Sequence, residues 1–218
     1  RGRANGAIWL DDDGVEHHQK ARVVVLAANG VGTPRLLLLS TSSRFPDGLA
    51  NSSGHVGRNL MLHPIALATG VFDDNVGSFH GPDGLTIFSQ EWYETDPDRD
   101  FVRGYGIQVT RGQGPLITAL GGFALDVPWG RNHHARFEQL FGHVVTCAIL
   151  IEDLPHPTNM VKLSDSQTDR FGVPSPQMVY EVDENSMRMS KHGIERSSEV
   201  LREAGASEVL TMDVLPMA

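Results

Sequence analysis

The sequence predicts a mixed α and β fold in two parts: a strand–turn–helix unit of the α/β type, then a mostly antiparallel sheet with flanking helices. Two observations predict this fold class. Val23–Leu26 is an unbroken apolar run, typical of a strand covered on both faces, and a leucine-rich run follows it at Leu36–Leu39. From Ile65 onward, short apolar runs alternate with loops rich in glycine, proline and aspartate, the texture of a sheet with long connections.

The chain opens with a predicted hairpin. Ala7–Leu10 and His17–Leu26 are two extended runs, and the acidic turn Asp11–Gly14 between them ends in the Asp-Gly pair that favours tight turns. His17 and His18 are adjacent, so on a strand they point to opposite faces and cannot easily share a metal ion.

The corner after the predicted buried strand consists of small and turn-favouring residues: Ala27, Ala28, Asn29, Gly30 and Gly32. Thr33 is predicted as the N-cap and Pro34 as the first residue of a helix that runs to about Ser42. Such a corner offers backbone N–H groups and the positive end of a helix dipole, which favours an anionic or nucleotide ligand. The G-x-G-x-x-G fingerprint is incomplete, because Arg35 stands where the third glycine would be.

Four strands are predicted in the middle of the chain, over residues 65–72, 85–92, 102–110 and 143–152, with a short helix over 131–141. Two more strands follow at 159–165 and 176–180, and a last one at 209–214. Between the strands at 176–180 and 209–214, residues 184–204 form a predicted amphipathic helix with an apolar face of Met187, Ile194, Leu201 and Ala204. Gly205 is predicted to end this helix.

Composition narrows the class of protein. The chain has 218 residues, 40% of them hydrophobic, and a formal net charge of −9. This acidic balance argues against a nucleic-acid partner, and no apolar stretch has the length of a membrane span. The single cysteine, Cys147, lies in an apolar run and is predicted to be a buried structural thiol. One cysteine and no visible signal peptide favour a reducing, cytoplasmic compartment.

Three blocks resemble the glucose–methanol–choline (GMC) oxidoreductases, which are FAD-dependent and include choline dehydrogenase-like enzymes. Residues 27–40 resemble the second signature of that family at Gly32, Thr33, Pro34, Leu36, Leu37 and Ser40, and depart from it at Asn29, Gly30 and Thr41. The block Val56–Pro64 and the two strands at 159–180 resemble later family segments, in family order.

The resemblance implies an internal fragment of a flavoprotein that oxidises the CH–OH group of an alcohol or sugar-like donor. Residues 1–63 would be part of a Rossmann-like FAD-binding domain, and residues 64–218 the substrate-binding domain and the start of the C-terminal family segment. The implied FAD-binding residues are Ala28, Asn29, Gly30, Gly32, Thr33, Pro34, Asn59 and His63. The family's glycine fingerprint and its catalytic histidine would both lie outside the chain, so no catalytic or metal-binding residue is assigned. The particular alcohol and the electron acceptor stay open.

Two alternatives remain at this point. A nicotinamide-dependent dehydrogenase is permitted by the strand–turn–helix unit, but no βαβ alternation continues after it. A non-catalytic α+β binding module would use the leucine-rich helix and the long loops as an interaction face. The interpretation as a fragment makes a further prediction. The strand at Val23–Leu26 would have an unpaired edge, apolar surface would be exposed, and residues 1–218 alone would bind FAD poorly.

Overall fold

The computed structural model describes residues 3–81, 85–122 and 125–214. Its strands are β1 (Gly6–Leu10), β2 (Glu16–Lys20), β3 (Ile65–Val71), β4 (Leu85–Ser89), β5 (Tyr105–Thr110), β6 (Val144–Ile151), β7 (Met160–Thr168), β8 (Pro174–Val179) and β9 (Glu208–Met212). Its helices are α1 (Asn29–Leu39), α2 (Pro115–Ala119), α3 (His133–Leu140) and α4 (Glu184–Glu203).

Contacts divide the chain into two compact units. The first contains the residues up to Met61 together with Pro155–Glu181, and the second contains Leu62–Leu154 together with the residues from Val182 onward. The assignment of 1–63 to cofactor binding and of 64–218 to substrate binding stays a prediction. The contacts themselves show that Pro155–Glu181, with β7 and β8, packs within the first unit.

The first unit holds two antiparallel hairpins, β1–β2 and β7–β8, and helix α1 packs against the second. Arg35 on α1 fastens this packing: its Nε donates to the Pro174 carbonyl at 2.8 Å, and its guanidinium donates to the Asp169 carboxylate at 2.9 Å. The hydrogen bond from Arg35 lowers the pKa of Asp169. The helix is therefore held to the β7–β8 turn by a charge-assisted contact as well as by apolar packing.

The second unit is built on one five-stranded sheet in the order β4-β5-β6-β3-β9, with every neighbouring pair antiparallel. Helix α4 packs against β3, β5, β6 and β9. Alternate residues of β3 and β6 point towards it, and they form a core with side chains of the helix: Ala66, Ala68, Cys147, Ile149, Ile151, Met189 and Leu201. The mostly antiparallel sheet with flanking helices confirms the predicted α+β fold class.

Both ends of α4 carry recognisable caps. Asp183 is the N-cap and accepts a hydrogen bond from the Ser186 N–H at 2.8 Å. At the other end, the Gly205 N–H donates to the Arg202 carbonyl and the Ala206 N–H to the Leu201 carbonyl. This is the Schellman arrangement, and Gly205 takes the left-handed φ of +100° that it requires.

The predicted buried strand at Val23–Leu26 is wrong. This run is irregular in the structure, with Val23 77% exposed and Val25 80% exposed, and β2 already ends at Lys20. A strand needs a hydrogen-bonded neighbour, and none of the described strands pairs with this run. The expected exposure of apolar surface is confirmed here.

Most other predicted elements are confirmed with shifted ends. The hairpin, the sheet strands, the helix near 131–141 and the long α4 are all present, whereas α2, with Pro115 in its first turn, is an additional helix. On α4, Ala204 is exposed, contrary to prediction. None of the helices in the described parts of the chain combines the length and the apolar character that crossing a bilayer requires.

Candidate cofactor site

The corner before α1 differs from its predicted form. The helix begins at Asn29 rather than after Thr33, so Pro34 lies inside it as the sixth residue. Asn29 adopts a left-handed φ of +59°, and its Oδ1 accepts hydrogen bonds from the N–H groups of Val31 and Gly32, both at 2.9 Å. The Asn29 side chain thus does the capping that was predicted for Thr33.

These bonds change what the corner offers to a ligand. The Thr33 hydroxyl also accepts a hydrogen bond from the Ala28 N–H at 3.2 Å, so three backbone donors of the corner already have partners within the chain. The prediction that this corner offers free backbone N–H groups to an anion is therefore wrong for these three donors. Pro34 in turn removes a donor, because it lacks the N–H that an α-helix would direct to the Gly30 carbonyl.

The segment after the long loop lies along the start of β7. The Val161 N–H donates to the Gly57 carbonyl at 2.7 Å, and the Leu60 N–H donates to the Asn159 carbonyl at 2.9 Å. Gly57 has a φ of +82°, and a Cβ there would lie 2.0 Å from the Val161 carbonyl oxygen, so only glycine fits. Between these two bonds, Asn59 takes a left-handed φ of +58°.

Helix α1 and this segment enclose an open cleft of about 330 Å³ within the first unit. Its lining residues are Gly30, Thr33, Pro34, Leu37, Val56, Gly57, Arg58, Asn59, Leu60, Met61 and Val161. An apolar wall with a few polar groups is typical of small-molecule sites, and the volume lies at the lower end of their range. The cleft thus offers a surface that one ring system of a dinucleotide could occupy.

The structure brings together half of the residues that the sequence singled out. Gly30, Thr33, Pro34 and Asn59 line the cleft, whereas Ala28, Asn29 and Gly32 form the hydrogen-bonded corner behind them. A Cβ at Gly30 would meet nothing within 4 Å, so a ligand can approach the backbone there. These features fit a flat, partly apolar portion of a flavin nucleotide.

His63 belongs to the second unit and is held at the end of β6. Its Nδ1 lies 3.4 Å from the Ile151 carbonyl, and the neighbouring Leu62 N–H donates to Asp153 Oδ2 at 3.1 Å. Asp153 is 5% exposed, and its other oxygen accepts a hydrogen bond from the Ser186 hydroxyl of α4 at 3.3 Å. The chain segment that carries His63 is therefore anchored to the sheet and to the helix.

Other reactive side chains of the described residues have structural surroundings. Cys147 is 2% exposed, which confirms the predicted buried structural thiol, and burial raises its pKa to about 11. His17 stacks on Trp9 and pairs with Asp11 at 2.7 Å. Among the described residues, no group of three or more histidine, cysteine, aspartate or glutamate side chains could hold a metal ion.

Sequence reasoning missed two buried polar residues that organise these segments, Asp153 and Asn159. Asp153 directly follows the strand predicted at 143–152, and Asn159 begins the strand predicted at 159–165. The sequence carries no signal that their side chains form hydrogen bonds with distant backbone groups. Burial of a polar side chain with specific partners is visible only in three dimensions.

Comparison with known proteins identifies several relatives of this chain. It is 40% identical over 217 residues to 2-methyl-1,2-propanediol dehydrogenase of Mycolicibacterium austroafricanum, covering 98% of the chain and 39% of that protein. It is 29% identical over 212 residues to the fructose dehydrogenase large subunit of Gluconobacter japonicus, covering 96% of the chain and 38% of the relative. Both relatives are dehydrogenases by name, and the chain spans about two fifths of the length of these two proteins.

A third relative carries the family name. An uncharacterised GMC-type oxidoreductase of Mycobacterium tuberculosis is 31% identical over 153 residues, covering 63% of the chain and 23% of that protein. The names of these relatives support the GMC oxidoreductase family for this chain. No family model matches it.

Proposed function

We propose that the protein containing this chain oxidises a CH–OH group of an alcohol or sugar-like donor by hydride transfer to bound FAD. One observation carries the proposal: Gly30, Thr33, Pro34 and Asn59, singled out in the sequence for a flavin nucleotide, line one cleft. The family resemblance and the names of the relatives support the same class of reaction. The flavin supplies the hydride acceptor, and this chain supplies part of its binding surface.

In this proposal the residues that line the cleft have different roles. The apolar side chains of Leu37 and Val161 would pack against a bound flavin, while the Thr33 hydroxyl and the Asn59 amide would offer it hydrogen bonds. The Gly30 carbonyl, which lacks the usual helical donor because residue 34 is a proline, would be available to accept a hydrogen bond from the flavin. Because Asn29 and Thr33 occupy three backbone donors of the corner, the diphosphate of a bound FAD would be held by other parts of the protein.

The first test is spectroscopic. The intact protein is purified, its visible absorption is recorded, and the released cofactor is identified by mass. We expect stoichiometric FAD whose absorption bleaches without oxygen when a diol or a sugar alcohol is added. A colourless protein that binds and reduces a nicotinamide nucleotide would favour the alternative dehydrogenase, and a protein that takes up neither would favour the non-catalytic module. The soluble, cytoplasmic location predicted from the sequence is a separate matter, tested by fractionation of the source cells.

The second test uses two residues with the same backbone conformation. Asn59 and Ala50 both take a left-handed φ, of +58° and +59°, but only Asn59 lines the cleft. Asn59→Gly keeps the backbone unstrained while it removes the side-chain hydrogen bonds to the flavin, so we expect about tenfold weaker FAD affinity. Ala50→Gly is the matched control, expected to bind FAD like the parent protein. Equal FAD affinities for the two variants would contradict the placement of flavin in this cleft.

A further inference from the structure

Asn159 lies at the start of β7 and is almost completely buried, with 3% of its surface exposed. Its side-chain amide binds one residue twice: Nδ2 donates to the Glu181 carbonyl and Oδ1 accepts from the Glu181 N–H, each at 2.9 Å. A buried amide with both of its functions satisfied in this way fixes the two backbone segments it joins. Asn159 therefore ties the entry to β7 to the segment that follows β8.

The main chain of the same residue carries one wall of the cleft. Its carbonyl accepts the hydrogen bond from the Leu60 N–H, and two residues later the Val161 N–H donates to the Gly57 carbonyl at 2.7 Å. These two bonds bracket Asn59 and hold its left-handed backbone in place. Asn159 itself does not line the cleft.

We propose that Asn159 is a positioning residue for the cofactor cleft. It fixes the start of β7, which hydrogen-bonds to the Gly57–Leu60 segment. Through that segment it fixes the position of the Asn59 amide. The inference rests on the proposed function for its ligand, FAD, and on the contacts above for its geometry. Functional groups need support of this kind, because a displacement of about 1 Å is enough to weaken binding.

The chain offers a matched control in the second unit. Asn185, 9% exposed, makes the same double amide contact with Val102: its Oδ1 accepts from the Val102 N–H at 2.9 Å, and its Nδ2 donates to the Val102 carbonyl at 3.0 Å. Replacing Asn185 removes the same two hydrogen bonds from the protein without touching β7. The pair of variants thus separates loss of a buried amide from loss of cleft geometry.

The experiment compares Asn159→Ala and Asn185→Ala in the intact protein. We expect FAD affinity to fall at least about tenfold in Asn159→Ala and to stay within about twofold of the parent in Asn185→Ala, although both lose thermal stability. Where an alanine variant does not fold, the aspartate variants Asn159→Asp and Asn185→Asp replace the pair, since aspartate keeps the acceptor and loses the donor. Parental FAD affinity in the Asn159 variant, or an equal loss in the Asn185 variant, would overturn the proposal.

A second readout does not involve the flavin. Hydrogen exchange of the Leu60 and Val161 amides is measured in the parent protein and in the Asn159 and Asn185 variants. These two N–H groups make the hydrogen bonds that Asn159 supports. We expect faster exchange at both amides in the Asn159 variant and parental exchange in the Asn185 variant. If the parent protein takes up no flavin, the proposed function fails, while the exchange rates still decide whether Asn159 holds the segment. Parental exchange at both amides in the Asn159 variant would refute the positioning role.

Discussion

His192 lies on α4 with its ring against three aromatic side chains. Its Nδ1 is 2.6 Å from the Tyr105 hydroxyl, and the Phe101 and Trp92 rings lie 5.3 and 6.3 Å from it, centre to centre. Burial, together with the charges of Arg196 and Arg99, lowers the pKa of His192. Glu195 and Asp100 act in the opposite direction but do not reverse the shift.

A pH dependence of stability follows. Because the folded protein holds the pKa of His192 below its unfolded value of about 6.5, the neutral ring is favoured in the fold. The contribution of His192 is complete above that unfolded value and is lost as the pH falls through it towards the folded pKa, because the unfolded chain takes up the proton first. We expect the difference in unfolding temperature between the parent and His192→Gln to shrink when the pH is lowered from about 7.5 to about 5. A constant difference across this range would show that His192 does not titrate differently in the two states.

At the scale of the element, the packing of α4 depends on small residues. Ser190, Gly193 and Ser197 are buried on the face of the helix that meets the sheet. A Cβ on Gly193 would lie 2.6 Å from Ile149 Cγ2 and 3.3 Å from Tyr105 Cε2. The small face lets the helix backbone approach the strands closely, whereas the apolar spacing alone predicts a conventional face of large side chains.

Gly193→Ala tests this close approach. Alanine gains up to about 1 kcal/mol in helix propensity, but the clash with the fully buried Ile149 costs roughly 1–3 kcal/mol, so we expect net destabilisation. Val200→Ala, at a position of the same helix that is 54% exposed, is the control and is expected to change the unfolding free energy by about 0.5 kcal/mol or less. Denaturant unfolding of both variants measures the difference. A Gly193→Ala variant as stable as the parent would show that the helix has room to move outward.

At the scale of the whole molecule, the exposed run Val23–Leu26 and the small open cleft lead to one expectation. We expect residues 1–218, expressed alone, to bind FAD poorly and to show no turnover with alcohols, because the apolar run Val23–Leu26 is exposed and the cleft is open to solvent. Absorption spectra of this piece after incubation with FAD and desalting, beside those of the intact protein, provide the measurement. A yellow preparation of the piece with one FAD per chain would contradict the expectation.

Local physics explains which features were predictable. The Asp-Gly turn of the first hairpin, the alternation of the sheet strands and the capped α4 depend on neighbours in the sequence, and all of them are found. The start of α1 was misplaced because Thr33-Pro34 is a strong local start signal, whereas the competing Asn29 cap depends on a left-handed backbone. The strand at Val23–Leu26 failed because strand formation requires a partner from elsewhere.

The sequence by itself determined the α+β class, the order of most elements, the family resemblance and four of the residues that line the cleft. Only the tertiary structure decided that Asn159 supports the opposite wall of the cleft, and that a glycine and serines bring α4 onto the sheet. The physical reason is that patterning and capping act between residues a few positions apart. Satisfaction of buried polar groups and close packing instead depend on residues separated by tens of positions.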